Sequence, residues 1–221
     1  FISRGEVFVA STEYNTVKKI TDTPEAEADV VFSPDGKTLA YASEREGIWN
    51  IYTAQIVRKE DISFPYATLI EEKPLFKNNK VDRRAPVYSP DGKELAYIED
   101  RDRLMIMNLE SGKTRQITDG SQCYSTTGSF AYSWSPDGKW ILMSYCARNH
   151  YPYDDIGIIS TKGGESMINL TESGYTDGAP QWVLGGNAIL FISERYGMRN
   201  HASWGTLQDV MIVFLNRKAY D

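Results

Sequence analysis

The sequence predicts an all-β fold, a β-propeller of about four consecutive four-stranded blades that is incomplete at both ends, and three observations predict it. A hairpin signature recurs as Val31-Phe-Ser-Pro-Asp-Gly-Lys-Thr-Leu-Ala-Tyr41, Val87-Tyr-Ser-Pro-Asp-Gly-Lys-Glu-Leu-Ala-Tyr97 and Ser133-Trp-Ser-Pro-Asp-Gly-Lys-Trp-Ile-Leu-Met143, with an eroded copy at Gln181-Trp-Val-Leu-Gly-Gly-Asn-Ala-Ile-Leu-Phe191. The aromatics before the turns, Phe32, Tyr88, Trp134 and Trp182, stand 56, 46 and 48 residues apart, the period of a four-stranded blade. Strand-length apolar runs follow every hairpin, and two of the repeats then close on a threonine.

The N-terminus supplies a closing pair, Val7-Phe-Val9 and Lys18-Lys-Ile-Thr21, with no hairpin before it. In each full copy the proline fixes φ at the start of the turn and Asp-Gly supplies an acceptor and a site for positive φ. Asp35, Asp91 and Asp137 are therefore turn formers, unlike a calcium loop with carboxylates at alternate positions. The residues Phe32, Tyr88, Trp134 and Trp182 are expected to pack inner strands.

Third strands are expected at Trp49–Val57, Leu104–Leu109, Ile156–Ser160 and Val210–Leu215. Fourth strands fall at Arg115-Gln-Ile-Thr118 and Met167-Ile-Asn-Leu-Thr171. In the first full blade, Arg58–Glu72 lengthens the connection and places the fourth strand at Lys73–Phe76. With strands lettered a to d, the chain reads c-d, three times a-b-c-d, then a-b-c, seventeen strands in all, divided at 1–25, 26–78, 79–120, 121–172 and 173–221. Both end pieces contain a c strand and cannot merge into one blade, so the chain is expected to be a fragment of a larger propeller. Open strand edges then predict self-association or dependence on further blades.

Composition narrows the function. Of 221 residues, 41% are hydrophobic and 24% charged, the balance of a compact globular chain. The net charge is −6 and no basic run exceeds Arg83-Arg84, which argues against a nucleic-acid partner. No stretch approaches the 18 or so apolar residues of a membrane-spanning helix.

Catalytic and metal chemistry find little support. The two histidines, His150 and His201, lie in different repeats, and His201 sits near Ser203 and Asp209 without a turn that would present a nucleophile. No catalytic residue and no metal ligand is assigned, and no cofactor is expected. Asn169-Leu-Thr171 matches a glycosylation acceptor, a pattern common by chance. Cys123 and Cys146 bracket the first hairpin of the third full blade; they form either a disulfide, closing a loop of 23 residues, or two largely buried thiols.

One set of loops collects candidate ligand-binding groups. After the second strands come Glu44-Arg-Glu-Gly47, Asp100-Arg-Asp-Arg103, Ala147-Arg-Asn-His-Tyr-Pro-Tyr-Asp-Asp155 and Glu194-Arg-Tyr-Gly-Met-Arg-Asn-His201. Arg45, Arg101, Arg148 and Arg195 recur at matching places, accompanied by His150, Tyr151, Tyr153 and Tyr196. Guanidinium groups and tyrosines so placed suit a peptide carboxylate or backbone. The alternative is that each arginine pairs with acids of its own or the neighbouring blade.

The repeats, with Ser-Pro-Asp-Gly-Lys between strands and a closing Ile/Leu-Thr, resemble the TolB-like propeller repeat. Arg4-Gly-Glu-Val-Phe-Val9, Lys19-Ile-Thr-Asp-Thr-Pro24, Ser193-Glu-Arg195, Ala202-Ser-Trp-Gly205 and the segment from Asp209 to Asp221 resemble the second half of the second propeller in tricorn-type serine proteases. That resemblance implies a non-catalytic module, in an exported or periplasmic bacterial peptidase, that guides or docks peptides or unfolded polypeptide for catalytic domains elsewhere in the same polypeptide. The alternative is a TolB-like protein-interaction propeller with no peptidase attached. The exit segment Arg217-Lys-Ala-Tyr-Asp221 favours the first. The departure at Val183-Leu-Gly-Gly-Asn187 makes the last hairpin the least regular.

Overall fold

The structure is a computed structural model that describes residues 1–123, 130–147, 152–199 and 205–221. Its strands are β1 (Ile2–Ser3), β2 (Glu6–Ala10), β3 (Val17–Lys19), β4 (Glu27–Phe32), β5 (Thr38–Ser43), β6 (Asn50–Ile56), β7 (Ile70–Pro74), β8 (Arg83–Tyr88), β9 (Glu94–Glu99), β10 (Arg103–Asn108), β11 (Thr114–Gln116), β12 (Tyr132–Trp134), β13 (Trp140–Tyr145), β14 (Asp155–Ser160), β15 (Ile168–Asn169), β16 (Asp177–Val183), β17 (Ala188–Ser193) and β18 (Asp209–Phe214), followed by a one-turn helix, α1 (Arg217–Tyr220). They form meandering sheets in sequence order: β1–β3, β4–β7, β8–β11, β12–β15 and β16–β18. The all-β propeller architecture and the a-b-c-d order expected from the repeats are therefore present.

Two elements differ from expectation. The first sheet has three strands, because Ile2–Ser3 pairs with Glu6–Val7 through a turn at Arg4 (φ 52°) and Gly5 (φ 81°). A two-residue strand carries no periodicity to read. The fourth strand of the second sheet is Ile70–Pro74 rather than Lys73–Phe76; Ile56 pairs with Ile70 and Tyr52 with Pro74. The proline ends the strand, where its missing N–H costs no ladder bond.

The repeated hairpin is built as its chemistry dictates. In the first copy Asp35 Oδ1 accepts from Ser33 Oγ (2.6 Å) and Lys37 N (3.1 Å), while Ser33 Oγ accepts from Thr38 N (3.0 Å). The Ser89–Asp91 and Ser135–Asp137 turns repeat the Ser-to-Asp bond at 2.7 Å. Gly36, Gly92 and Gly138 follow at φ of 69° to 71°, where L side chains are strained. The eroded copy still turns, through a short 3-10 segment at Leu184–Gly186, and Val183 pairs with Ala188.

The closing threonines have a specific task. Thr21, Thr118 and Thr171 accept through Oγ1 from the backbone N–H of the second residue of β2, β10 and β14, at Val7 (2.9 Å), Leu104 (2.8 Å) and Ile156 (3.1 Å). An N–H at a strand start has no ladder partner, and burying it unmet is costly. The second sheet lacks the threonine, and Asn50 Oδ1 takes the N–H of Ile51 instead (2.8 Å).

Inner strands β4, β8 and β16 each carry a bulge, where Asp29, Ala85 and Ala179 adopt φ of 57°, 51° and 48°. The inner-strand aromatics pack unequally. Tyr88 and Trp134 are buried and Trp182 is partly buried, but Phe32 is 46% exposed and touches Phe64 edge-on.

Two compact units divide the chain, one of Phe1–Arg101 with Met107–Thr114, the other of Asp102–Ile106 and most of the chain beyond Arg115. In the first, Val7, Leu39, Tyr41, Ala54 and Phe64 form a core. In the second, Leu142, Ile156, Ile158, Ile189 and Phe191 do so. Among the described residues no helix is long and apolar enough to cross a membrane.

Candidate functional site

The arginines that recur after the second strands do not share one role, and the partner at the start of each inner strand decides which role each takes. In the second sheet that position is Glu27, whose side chain is fully buried. Arg45 Nε donates to Glu27 Oε1 (3.3 Å) and Arg45 Nη2 to Glu72 Oε2 (2.5 Å) and Tyr41 Oη (3.2 Å). Ser43 Oγ, Thr23 Oγ1 and Thr21 Oγ1 also donate to Glu27, at 3.0, 2.9 and 3.3 Å. Burial opposes the charge of Arg45, but Tyr41, Glu72 and Glu27 outweigh it and hold the guanidinium protonated. Burial first, then Glu72, pushes the Tyr41 phenol far above its ordinary range. Arg45 thus sits in the structural alternative weighed from the sequence, pairing with acids of its own sheet.

The third sheet inverts this arrangement. Arg83 opens its inner strand opposite Glu99, and Arg83 Nη2 meets Glu99 Oε2 at 2.7 Å. Arg101, at the position of Arg45, is then left over. It is exposed, stands at φ 76° directly after Asp100 at φ 53°, and makes no ion pair among the described residues. It lines a notch of about 250 Å³ with Glu44, Trp49, Asp82 and Arg84.

The notch is rigidly framed. Asp82 Oδ1 accepts from Trp49 N at 3.1 Å, and the Arg84 guanidinium lies 4.4 Å over the Trp49 ring. Arg84 Nε is tied to Asp29 Oδ2 at 3.0 Å, which leaves its terminal nitrogens without a partner among the described residues. A stacked guanidinium keeps its N–H edges in fixed directions. Two cations on this rim can donate charge-assisted bonds to a carboxylate, with Glu44 placed to accept from an N–H of the same ligand. Sequence reasoning named Arg101 and missed Arg84 and Trp49; the signal available was the Arg-Arg pair falling on an inner strand, where a polar run interrupts β alternation.

In the second unit the remaining candidates are dispersed. Tyr196 is 76% exposed, while Tyr153 and Arg195 are half-buried. Arg148, His150 and Tyr151 lie outside the described residues, as do His201 and Ser203. Asp177 stands 150 residues beyond Glu27, as Thr171, Ser193 and Arg195 stand 150 beyond Thr21, Ser43 and Arg45. Asp177 is fully buried, yet neither of its carboxylate oxygens has a partner among the described residues. Aspartate is one methylene shorter than glutamate, and the shell that closes on Glu27 does not close on it.

Cys123 and Cys146 are not joined by a disulfide. Burial first, then the nearby carboxylates of Asp154 and Asp102, pushes the Cys123 thiol up to about 12, so it stays protonated and unreactive at neutral pH. Among the described residues no group of three or more histidine, cysteine or carboxylate side chains is placed to hold a metal ion.

No family model matches the chain. It is 30% identical over 132 residues to the "Uncharacterized peptidase YuxL" of Bacillus subtilis, a match covering 58% of this chain and 18% of YuxL. TolB from Acinetobacter baumannii superposes with a TM-score of 0.65 at 19% identity, covering 96% of this chain and 47% of that one. The tricorn protease superposes at 0.66 and 18% identity, covering 97% of this chain and 20% of that one. The chain spans less than half the length of each of these three proteins. Its fold is that of a TolB-like β-propeller.

Proposed function

We propose that this chain is a non-catalytic β-propeller module of a tricorn-like exported serine peptidase, docking or guiding peptides for catalytic domains that lie outside these 221 residues. The observation that carries this reading is the notch where Arg101, with no ion pair among the described residues, and the stacked Arg84 flank Trp49. Its rim suits the C-terminal carboxylate of a peptide, held by charge-assisted bonds from two guanidinium groups. The likeness to the tricorn protease over 97% of the chain and the match to YuxL support the peptidase context. Periplasmic or other export belongs to the same proposal.

A second reading is a TolB-like protein-interaction propeller with no peptidase attached, favoured by the equal likeness to TolB. Blotting the native polypeptide in its source cells and sequencing the band separates the two. A band several times the 25.0 kDa of this chain with a serine peptidase C-terminal to the propeller supports the first, and a propeller alone overturns it. Docking itself is tested by titrating the chain with one peptide bearing either a free or an amidated C-terminus. The free acid is expected to bind about tenfold more tightly, and Arg101→Gly to erase the difference. Equal affinities would overturn the carboxylate assignment.

A further inference from the structure

The outer edge of β18 is open. β18 pairs with β17 from Ser193↔Asp209 to Ala188↔Phe214, and no strand among the described residues pairs with its other side. The N–H of Leu215 donates to the carbonyl of Asn187 at 2.9 Å. Ladder bonds alternate along an antiparallel strand, so Val213, Met211 and Asp209 turn their backbone groups to β17, while Phe214, Ile212 and Val210 turn theirs to the open edge. Val210 is 69% exposed and Ile212 43%. The register with β17 is unbroken, and β18 carries no lysine, proline or bulge of the kind that blunts native edges.

The four other sheets show what belongs on such an edge. In each of them the second residue of β2, β6, β10 or β14 accepts a bond from the isoleucine or leucine directly after β3, β7, β11 or β15. Ile20 N donates to Val7 O at 2.8 Å, Leu75 N to Ile51 O at 2.7 Å, Ile117 N to Leu104 O at 2.8 Å and Leu170 N to Ile156 O at 2.9 Å. In three of the four the next residue is the threonine whose Oγ1 takes the N–H of the same strand residue. An Ile/Leu-Thr pair thus clasps one residue by both its N–H and its C=O. The second residue of β18 is Val210, and neither bond is made to it among the described residues.

We propose that β18 takes as its fourth strand an extended segment of a separate polypeptide, which carries Ile-Thr or Leu-Thr and clasps Val210. The partner's Ile or Leu N–H meets the Val210 carbonyl, and its threonine hydroxyl takes the Val210 N–H. Its apolar side chain covers Val210 and Ile212, as Ile20 shares a core with Val7 and Val9. A short pairing suffices, since β15 has two residues and β3 and β11 three. The residues directly after β18 do not return as a strand. They form α1, where Ala219 N donates to Asn216 Oδ1 at 3.0 Å and Arg217 Nε to Asp221 Oδ1 at 3.1 Å. A second copy is the poorer occupant, because the three Ile/Leu-Thr pairs of the sequence are already engaged on Val7, Leu104 and Ile156.

The test titrates the full chain with acetyl-Thr-Arg-Gln-Ile-Thr-amide, the sequence of Thr114–Thr118. Binding is expected to saturate and to slow amide hydrogen exchange at Val210 and Ile212 at least about tenfold. Valine in place of the last threonine should weaken binding about fivefold, the worth of one hydrogen bond, and N-methylation of the isoleucine at least about tenfold. Val210→Pro should abolish binding and leave the melting temperature nearly unchanged, because the N–H it removes faces the open edge. No saturable binding, equal affinity for the N-methylated peptide, or protection that appears away from β18 would each overturn the assignment. Self-association of the chain that Val210→Pro prevents would overturn the occupant, placing a second copy on the edge. The probe has no free carboxylate and β18 shares no residue with the Trp49 notch, so the two sites stand or fall separately.

Discussion

Asp29 Oδ2 holds Arg84 Nε at 3.0 Å and the backbone N–H of the adjacent Ala85 at 3.1 Å, so the bulge of one inner strand clamps the bulge of the next. Asp29 itself sits at φ 57°, a conformation that aspartate and asparagine tolerate better than other side chains. Asp29→Asn should keep the backbone and one acceptor but lose the charge, costing about 1 kcal/mol. Asp29→Ala should cost about 2 kcal/mol, since it removes the carboxylate that accepts from Arg84 and the Ala85 N–H and strains the bulge. Urea denaturation reads both, and equal costs would show that the clamp contributes nothing beyond charge.

The matching acids Glu27 and Asp177 should respond with opposite signs when their charge balance is disturbed. Arg45→Met leaves the buried Glu27 carboxylate without its cation and should destabilise by about 3 kcal/mol. Asp177 already lacks a counter-ion among the described residues, so Asp177→Asn should stabilise by about 1 kcal/mol. Melting temperatures of the two variants check this, and a loss of stability in Asp177→Asn would mean that its carboxylate has a partner after all.

The closing threonines offer a uniform series. Thr21→Val, Thr118→Val and Thr171→Val keep shape and remove the hydroxyl that meets the N–H of Val7, Leu104 and Ile156. Each should cost about 1 to 2 kcal/mol in equilibrium unfolding. Asn50→Leu should do the same in the second sheet, where the acceptor is Asn50 Oδ1. A neutral result at Thr118, whose residue is 2% exposed, would refute the capping role most directly.

Acid should unfold the hairpins through their aspartates. Asp35, Asp91 and Asp137 are held below the ordinary carboxylate range, first by the hydroxyls of Ser33, Ser89 and Ser135 and then by the N–H groups of Lys37, Lys93 and Lys139. A depressed folded pKa contributes stability above the unfolded value of about 4, and that contribution is lost as pH falls through the folded value. The turns are solvent-screened, so each should contribute less than about 1 kcal/mol. Replacing all three with asparagine should flatten the fall in stability below about pH 4. An unchanged acid limb in denaturant titrations would show that other carboxylates control it.

How much of this was legible in the sequence follows from what each feature depends on. Hairpins and third strands were readable because Ser-Pro-Asp-Gly-Lys carries its own hydrogen-bond pattern and the strands after it are longer than a turn. Ile2–Ser3 was not, because its pairing is made by a turn at Arg4-Gly5 that has no run before it. The arginine series was readable as a series, but the roles of its members were not. Whether an arginine is buried in a pair or left on the rim depends on whether Glu27 or Arg83 opens the inner strand it faces, and that register is set by bulges at Asp29 and Ala85.

Arg101 carries the last prediction, because its backbone and its side chain should pull in opposite directions. Asp100 and Arg101 occupy the left-handed region in succession, at φ 53° and 76°, within the short connection between β9 and β10. A left-handed L-residue costs roughly 1 to 2 kcal/mol, whereas glycine pays mainly about 0.5 to 1 kcal/mol in unfolded-state entropy. Arg101→Gly should therefore stabilise the chain by about 0.5 kcal/mol or more while removing the rim cation that the notch offers to a carboxylate. Arg101→Asn should recover most of the stability gain and none of the binding. A residue kept in a strained conformation against its own backbone preference is one held for its side chain, and a variant that gained stability with peptide affinity intact would show that this one is not.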